Sequence, residues 1–248
     1  GKFTKYISKY PDGNYLLNSH FFKADCNYQN DEFEEALSSY NYVIIQPKNS
    51  YTEEALLKAA RINFYFKNFE NAVKNCQSLE QIAENNTNLL EARIGQMRGF
   101  FKLNNDSNAI FAANRVLISD KVSDEIIREA HYILAKSFFS QNDYQSAVPE
   151  LKIVASNVNT KEGAEAKYLL SEILFLQKQY ELAEKEIIDF NNKNTPYYFW
   201  QAKAILLLSD IYINKDDIFM AKHSLQSIIE AYDGPNDGIV DEAQVKLN

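Results

Sequence analysis

The sequence predicts an all-α fold, a solenoid of antiparallel helix pairs running the length of the chain. Three observations predict it. Alanines recur at a near-constant spacing. Apolar side chains keep helical register around each of them. Few residues break helices, with only 7 Gly and 5 Pro among 248 residues, whereas a sandwich or barrel needs many more turns. A hydrophobic content of 46% is enough for a substantial core.

The markers are Ala36, Ala72, Ala109, Ala147, Ala183 and Ala221, separated by 36, 37, 38, 36 and 38 residues. With each marker as position 0, position −3 holds Phe33, Phe69, Asp106, Tyr144, Tyr180 and Ile218. Position +4 holds Tyr40, Cys76, Ala113, Leu151, Ile187 and Leu225, and position +7 holds Val43, Leu79, Val116, Val154, Phe190 and Ile228. Those offsets share one helix face, so they define the second helix of each unit. The first helix is as regular. Position −17 holds Ser19, Ala55, Ala92, Ala130, Ala166 and Ala204, and position −12 holds Ala24, Ala60, Met97, Ala135, Ser171 and Ser209. Small side chains there let helices approach closely. Position −8 carries Tyr28, Phe64, Phe101, Phe139, Phe175 and Ile213.

Taken in chain order, Phe3, Tyr6, Ile7 and Pro11 match the second helix of an earlier unit whose first helix is missing. Six complete pairs follow. Polar turns such as Asn30-Asp31, Lys67-Asn68 and Asn104-Asn105 separate the helices of a pair, and Asn or Asp there can cap the next helix. Between pairs stand Pro47-Lys48-Asn49-Ser50, Asn85-Asn86-Thr87 and Thr195-Pro196. Ser50 with Glu53 reads as a capping box, and Pro196 suits a first helical turn. Pro149 falls inside a second helix, which it should shorten or kink. Gly234 to Gly238 breaks the chain, and Ile239 to Leu247 reads as one further helix. The expected organisation is a single solenoid over residues 1–248, with six full repeats and a partial repeat at each end, cut from a longer protein.

The spacing, the small residue of the first helix and the Ala–aromatic face of the second resemble the tetratricopeptide repeat. The units run longer than that family's norm of about 34 residues, and its early tryptophan is missing from every unit. The stretch from Phe3 to Tyr15 resembles junctions in bacterial cell-envelope members. The resemblance implies a right-handed superhelix whose first helices line a concave groove, and a scaffold that binds a protein or peptide there. It also implies a periplasmic or envelope-associated location, with the cytoplasm as the alternative. Two other roles remain open: a recruiting module of a larger enzyme, and a regulatory binder of peptides or small molecules.

First-helix residues turned away from the core would line the groove. Position −11 holds Asp25, Arg61, Arg98, Lys136, Glu172 and Asp210, basic in its middle and acidic at its flanks. Position −15 holds Phe21, Leu57, Ile94, Tyr132, Tyr168 and Leu206, and position −7 includes Tyr65 and Lys102. The candidate binding residues are therefore Asp25, Tyr28, Arg61, Phe64, Tyr65, Arg98, Phe101, Lys102, Tyr132, Lys136 and Tyr168. Two readings of the cations stand. They can receive carboxylates of a ligand, or they can form surface ion pairs within the protein and with neighbouring helices, Glu91 with Arg98 and Glu129 with Lys136 lying about two turns apart on one face.

Nothing in the sequence points to catalysis, a cofactor or a metal. His20, His131 and His223 are scattered, without a second His or Cys at ligand spacing, and read as surface residues. No glycine-rich phosphate loop or Gly-x-Ser-x-Gly elbow is present. Cys26 and Cys76 read as small buried hydrophobes with free thiols. A net charge of −8 repels phosphate backbones, which argues against nucleic acid as partner. No apolar run is long enough to insert in a membrane.

Overall fold

The computed structural model describes residues 1–248, which form 14 α-helices and no strand. In order they are α1 (Lys2–Lys9), α2 (Leu16–Gln29), α3 (Phe33–Ile44), α4 (Thr52–Tyr65), α5 (Phe69–Ile82), α6 (Asn86–Lys102) and α7 (Asp106–Leu117). Then follow α8 (Asp124–Ser140), α9 (Tyr144–Val154), α10 (Lys161–Leu176), α11 (Tyr180–Asn191), α12 (Tyr198–Asn214), α13 (Ile218–Ala231) and α14 (Ile239–Leu247). First and second helices alternate from α2 to α13, which makes the fold an α-solenoid, and no helix is long and apolar enough to cross a membrane. The chain falls into two compact units, Gly1–Ile133 and Leu134–Asn248.

The register read from the sequence is the register of burial. Every residue at positions 0, +4, +7, −12 and −17 is buried, and all six alanine markers lie at 0–3% exposure. The alanines carry little apolar area themselves. Their contribution is to let the backbones close up, so that Tyr40, Leu79, Leu151, Ile187 and Phe190 fill the space between helices. Two glycines on α6 let it approach α5 closely. A Cβ on Gly95 would stand 2.3 Å from Cys76 Sγ, and one on Gly99 would stand 2.3 Å from Val73 Cγ2.

One backbone device closes all six pairs. At position −5, Asp31, Lys67, Asn104, Asn142, Lys178 and Asp216 adopt φ between 53° and 61°. The following residue donates its N–H five residues back, as in Asn68 to Asn63 and Asp217 to Tyr212, and the left-handed residue donates to the carbonyl of position −8. This is the Schellman end of a helix. Its last residue also serves as N-cap of the next helix: Asn68, Asn105, Asp143 and Asp217 each accept a backbone N–H three residues on. Four of the six turns are sealed outside by a ring pair, position −8 against −3. The centroids are 5.6 Å apart for Tyr28–Phe33, 6.0 Å for Phe64–Phe69, 5.7 Å for Phe139–Tyr144 and 5.7 Å for Phe175–Tyr180.

Several local expectations need correction. Ser50 and Glu53 form no capping box. Asn49 makes an Asx turn onto Tyr51 N–H and delays the helix to Thr52, and Glu53 instead accepts from Glu84 N–H and Asn88 Nδ2. Pro196 precedes α12 by two residues, outside its first turn. Helix α9 contains Pro149 and is 11 residues long. Half of position −15 belongs to the core: Phe21, Ile94 and Leu206 are buried, whereas Leu57, Tyr132 and Tyr168 are half-buried. His20 is half-buried rather than a surface residue. Its ring stacks on Tyr42 with centroids 3.8 Å apart, Nδ1 has no partner, and burial and Lys23 lower its pKa.

The cysteines differ from each other. Cys26 is exposed on α2, which corrects its assignment to the core, whereas Cys76 is buried and both are free. Burial, with Glu91 and Glu80 nearby, pushes the Cys76 thiol up to about 12. A disulfide reagent at pH 8 should therefore modify Cys26 promptly and Cys76 only after unfolding, giving two thiols in total. A denatured count of one or none would show that the free-thiol assignment is wrong.

Candidate functional site

Successive first helices present positions −11 and −18 side by side, and charge pairs join them there. In the Gly1–Ile133 unit, Arg61 NH2 donates to Glu91 Oε2 at 3.3 Å. Arg98 grips Glu129 through both forks, Nε to Oε1 at 2.7 Å and NH2 to Oε2 at 2.6 Å. Each pair joins position −11 of one first helix to position −18 of the next. Asp25 and Glu54 occupy the same two positions at the α2–α4 step, and both are acidic. Lys58 resolves that clash by sitting 2.5 Å from Asp25 and 2.7 Å from Glu54. Asp25 also accepts the Tyr40 hydroxyl at 2.6 Å, so a groove residue is tied to a core one.

The Leu134–Asn248 unit uses the same positions. Lys136 pairs with Glu165 at 2.6 Å, and at α10–α12 the signs reverse, with Glu172 facing Lys203. Burial pushes the Glu172 carboxyl above the usual range, against the opposing pull of Tyr168, Lys203 and Lys136. Lys203 Nζ also lies 5.7 Å from the Tyr168 ring centroid, and Asp210 is gripped by Lys246 at 2.6 Å. The sequence offered both members of each pair. The structure shows that the cations are neutralised across helix steps rather than left as a bare basic strip.

Neutralised is not the same as saturated. The Arg61 and Arg98 side chains remain 51% and 45% exposed. Guanidinium has five N–H donors in a fixed fork. Glu129 takes the Nε and NH2 side of Arg98, and Glu91 takes one NH2 bond of Arg61. The remaining edges can accept a second carboxylate in bidentate or shared geometry. Beside them, Tyr65 is 67% exposed and Lys102 is exposed.

The other predicted residues have structural partners. Tyr28 and Phe64 are half-buried in the ring pairs that close their turns. Phe101 has no aromatic partner in its own pair, because position −3 there is Asp106; it meets Tyr132 instead, at 6.2 Å. Tyr168 packs on Trp200 with centroids 5.6 Å apart. The Gly1–Ile133 unit thus brings Arg61, Tyr65, Arg98 and Lys102 to solvent on its first helices, with Asp25, Tyr28, Phe64, Phe101 and Tyr132 behind or beside them.

Sequence reasoning missed a second polar cluster. Glu80 on α5 accepts from Arg93 Nε at 2.9 Å and Gln96 Nε2 at 2.7 Å on α6, and from both NH groups of Arg115 on α7. Burial opposes the charge, but these donors hold its carboxyl below the usual range. It also missed a cavity of about 900 Å³ at the N-terminal end of α12, among Tyr197, Tyr198, Phe199, Trp200 and Tyr232. The run of aromatics from Tyr197 to Trp200 was the available signal.

Comparison with known proteins agrees with the repeat pattern. Residues 128–189, covering most of α8 and all of α9 and α10 through nearly the end of α11, match the tetratricopeptide repeat family. No curated protein matches the chain. Among solved structures, a tetratricopeptide repeat protein from Parabacteroides merdae ATCC 43184 is similar, with 16% identity, coverage of 99% of this chain and 90% of that one, and a TM-score of 0.48. The TPR2AB domain of yeast Sti1 in its pHSP90 complex has 14% identity, coverage of 95% and 99%, and a TM-score of 0.38.

Proposed function

We propose that this α-solenoid, whose residues 128–189 match the tetratricopeptide repeat family, is an interaction scaffold that holds an acidic protein segment on its first helices. The observation that carries this is the half-engaged guanidinium of Arg98. Glu129 fixes its plane and position in advance, so little side-chain entropy remains to be lost when a ligand carboxylate binds the free edge. One step earlier Arg61 makes a single 3.3 Å bond to Glu91 and keeps more of its fork free, and Lys102 and the exposed Tyr65 ring add a cation and an apolar contact.

Arg98→Glu removes the bidentate pair and sets a new carboxylate against Glu129. The pair is partly exposed, so the expected loss of stability is about 1 kcal/mol. Loss of binding should be larger, and larger at low salt than at high. The measurement is affinity capture of a partner, then titration of wild type and Arg98→Glu at two salt concentrations, with thermal melts alongside. Unchanged affinity in both salts would remove Arg98 from the binding face and leave it an internal ion-pair residue only.

A further inference from the structure

The cavity at the N-terminal end of α12 lies outside the set of cations just described, and it is a built site. Its volume is about 900 Å³. One wall is the start of α12, where Tyr197, Tyr198 and Trp200 stand together. Thr195, buried at 2% exposure, anchors the chain leading into that wall: its hydroxyl donates to Val158 O at 2.6 Å and accepts from Tyr197 N–H at 3.2 Å. The opposite wall is Tyr232 and the loop after α13. The Tyr232 hydroxyl donates to Asp237 at 2.6 Å, and the Gly234 backbone lies so close to the Tyr232 ring that a Cβ there would meet it at 2.2 Å. Both walls are therefore held by the fold and need no ligand to form them. Five aromatic rings share the lining with Pro196, Pro235 and aliphatic side chains, and its charged members are the carboxylates of Asp233 and Asp237 and the single ammonium of Lys161.

We propose that this cavity binds an extended, proline-containing peptide segment that carries a basic side chain. Three features select that ligand. The cavity is open on one side and too large for a single side chain, so a stretch of chain fits where an isolated group would rattle. The Tyr198 hydroxyl and Trp200 Nε1 have no acceptor within the protein, and Tyr198 is 63% exposed. A helical ligand has already used its carbonyls internally, whereas a polyproline II segment leaves them free to accept from ring donors, and its stiffness reduces the entropy lost on docking. Lastly, two carboxylates against one ammonium make the mouth acidic, and Asp233 has no ion-pair partner, so a Lys or Arg beside the prolines is matched there.

Trp200 is the sole tryptophan and lines this cavity, so its emission reports on the cavity and on the adjoining Tyr168 contact. The probe is the synthetic peptide acetyl-Pro-Pro-Leu-Pro-Pro-Arg-amide, titrated against the full chain. The same peptide with Glu in place of Arg, and choline, are the comparison ligands. A saturable change in emission is expected with the Arg peptide, with an apparent Kd at least about 5-fold tighter than for the Glu peptide. Asp233→Lys, at an exposed position, should abolish that preference. Tyr198→Ala should weaken the Arg peptide about 10-fold with an unchanged thermal melt. Arg98→Glu should leave this titration unaltered, which separates the site from the first-helix face. No saturable change up to about 5 mM peptide would overturn the proposal. Equal binding of the Arg and Glu peptides would overturn it too. Tighter saturation by choline than by the peptide would overturn it in favour of a small-cation pocket.

Discussion

Phe190→Ala should lower the stability of the Leu134–Asn248 unit by about 3–5 kcal/mol, the usual cost of emptying a buried aromatic site. Phe190 has 0% exposure at position +7 of α11 and lies in one cluster with Ile187, Ala204, Leu208 and Ile211. Its neighbours across the cluster come from α12, and Trp200 and Tyr197 pack on the same core. The backbone is pinned as well, because Gln201 Nε2 donates to the Phe190 carbonyl at 3.1 Å. With one side held by that bond and the other by alanines that cannot expand, the site has little room to collapse onto the void. The cost should therefore fall in the upper part of the range. Denaturant titration measures the loss, and amide exchange locates it. Protection should fall in α10–α13 and persist in α2–α5, because repeat stability is summed over neighbours. A loss under about 1 kcal/mol, or a uniform fall of protection along the chain, would contradict the assignment.

Glu80→Ala should cost the Gly1–Ile133 unit about 3 kcal/mol, since it removes the carboxylate that two guanidinium groups and an amide share. Arg93 and Arg115 are 21% and 28% exposed, so water recovers part of their solvation and the figure stays below that of a fully buried pair. The cluster ties three consecutive helices, α5, α6 and α7, and Arg93 extends it to Ser119 at 2.8 Å. It also makes stability depend on pH. The carboxyl of Glu80 ionises below its unfolded value when folded. Its contribution is therefore complete above the unfolded pKa of about 4.3 and is lost as pH falls through the lower folded value. Glu80→Gln, which keeps the shape without the charge, should be less stable than wild type at pH 7 and lose less on acidification. Parallel stability curves for the two proteins from pH 6 to pH 3 would remove Glu80 as the source of that dependence.

How far the sequence alone reached can be judged from particular positions. The buried set at 0, +4, +7, −12 and −17 was legible because a helix repeats every 3.6 residues and small side chains must recur wherever helices touch. Helix α14 was read with its observed limits, Ile239 to Leu247. The left-handed turn residue was not legible. Asn104 and Asn142 suit that conformation, but Lys67 and Lys178 have no preference for it. The short link between antiparallel helices imposes it, because only a Schellman turn returns the chain within so few residues. Position −15 was misread for a related reason. Periodicity assigns Phe21, Ile94 and Leu206 to a face, but cannot say that the adjacent first helix covers it.

The amino-acid sequence by itself determined the class of the protein: helix pairs, their number and order, the residues that face inward, and the residue types along the first helices. Tertiary structure alone decided the pairings. It placed Arg98 against Glu129 and Arg61 against Glu91, gathered Arg93, Gln96 and Arg115 on Glu80, and brought Tyr232 opposite Trp200 to enclose a cavity. Helical periodicity is a property of one segment and can be counted along the chain. An ion pair or a cavity wall joins segments roughly 30 residues apart, and which of them meet depends on how one helix packs against the next.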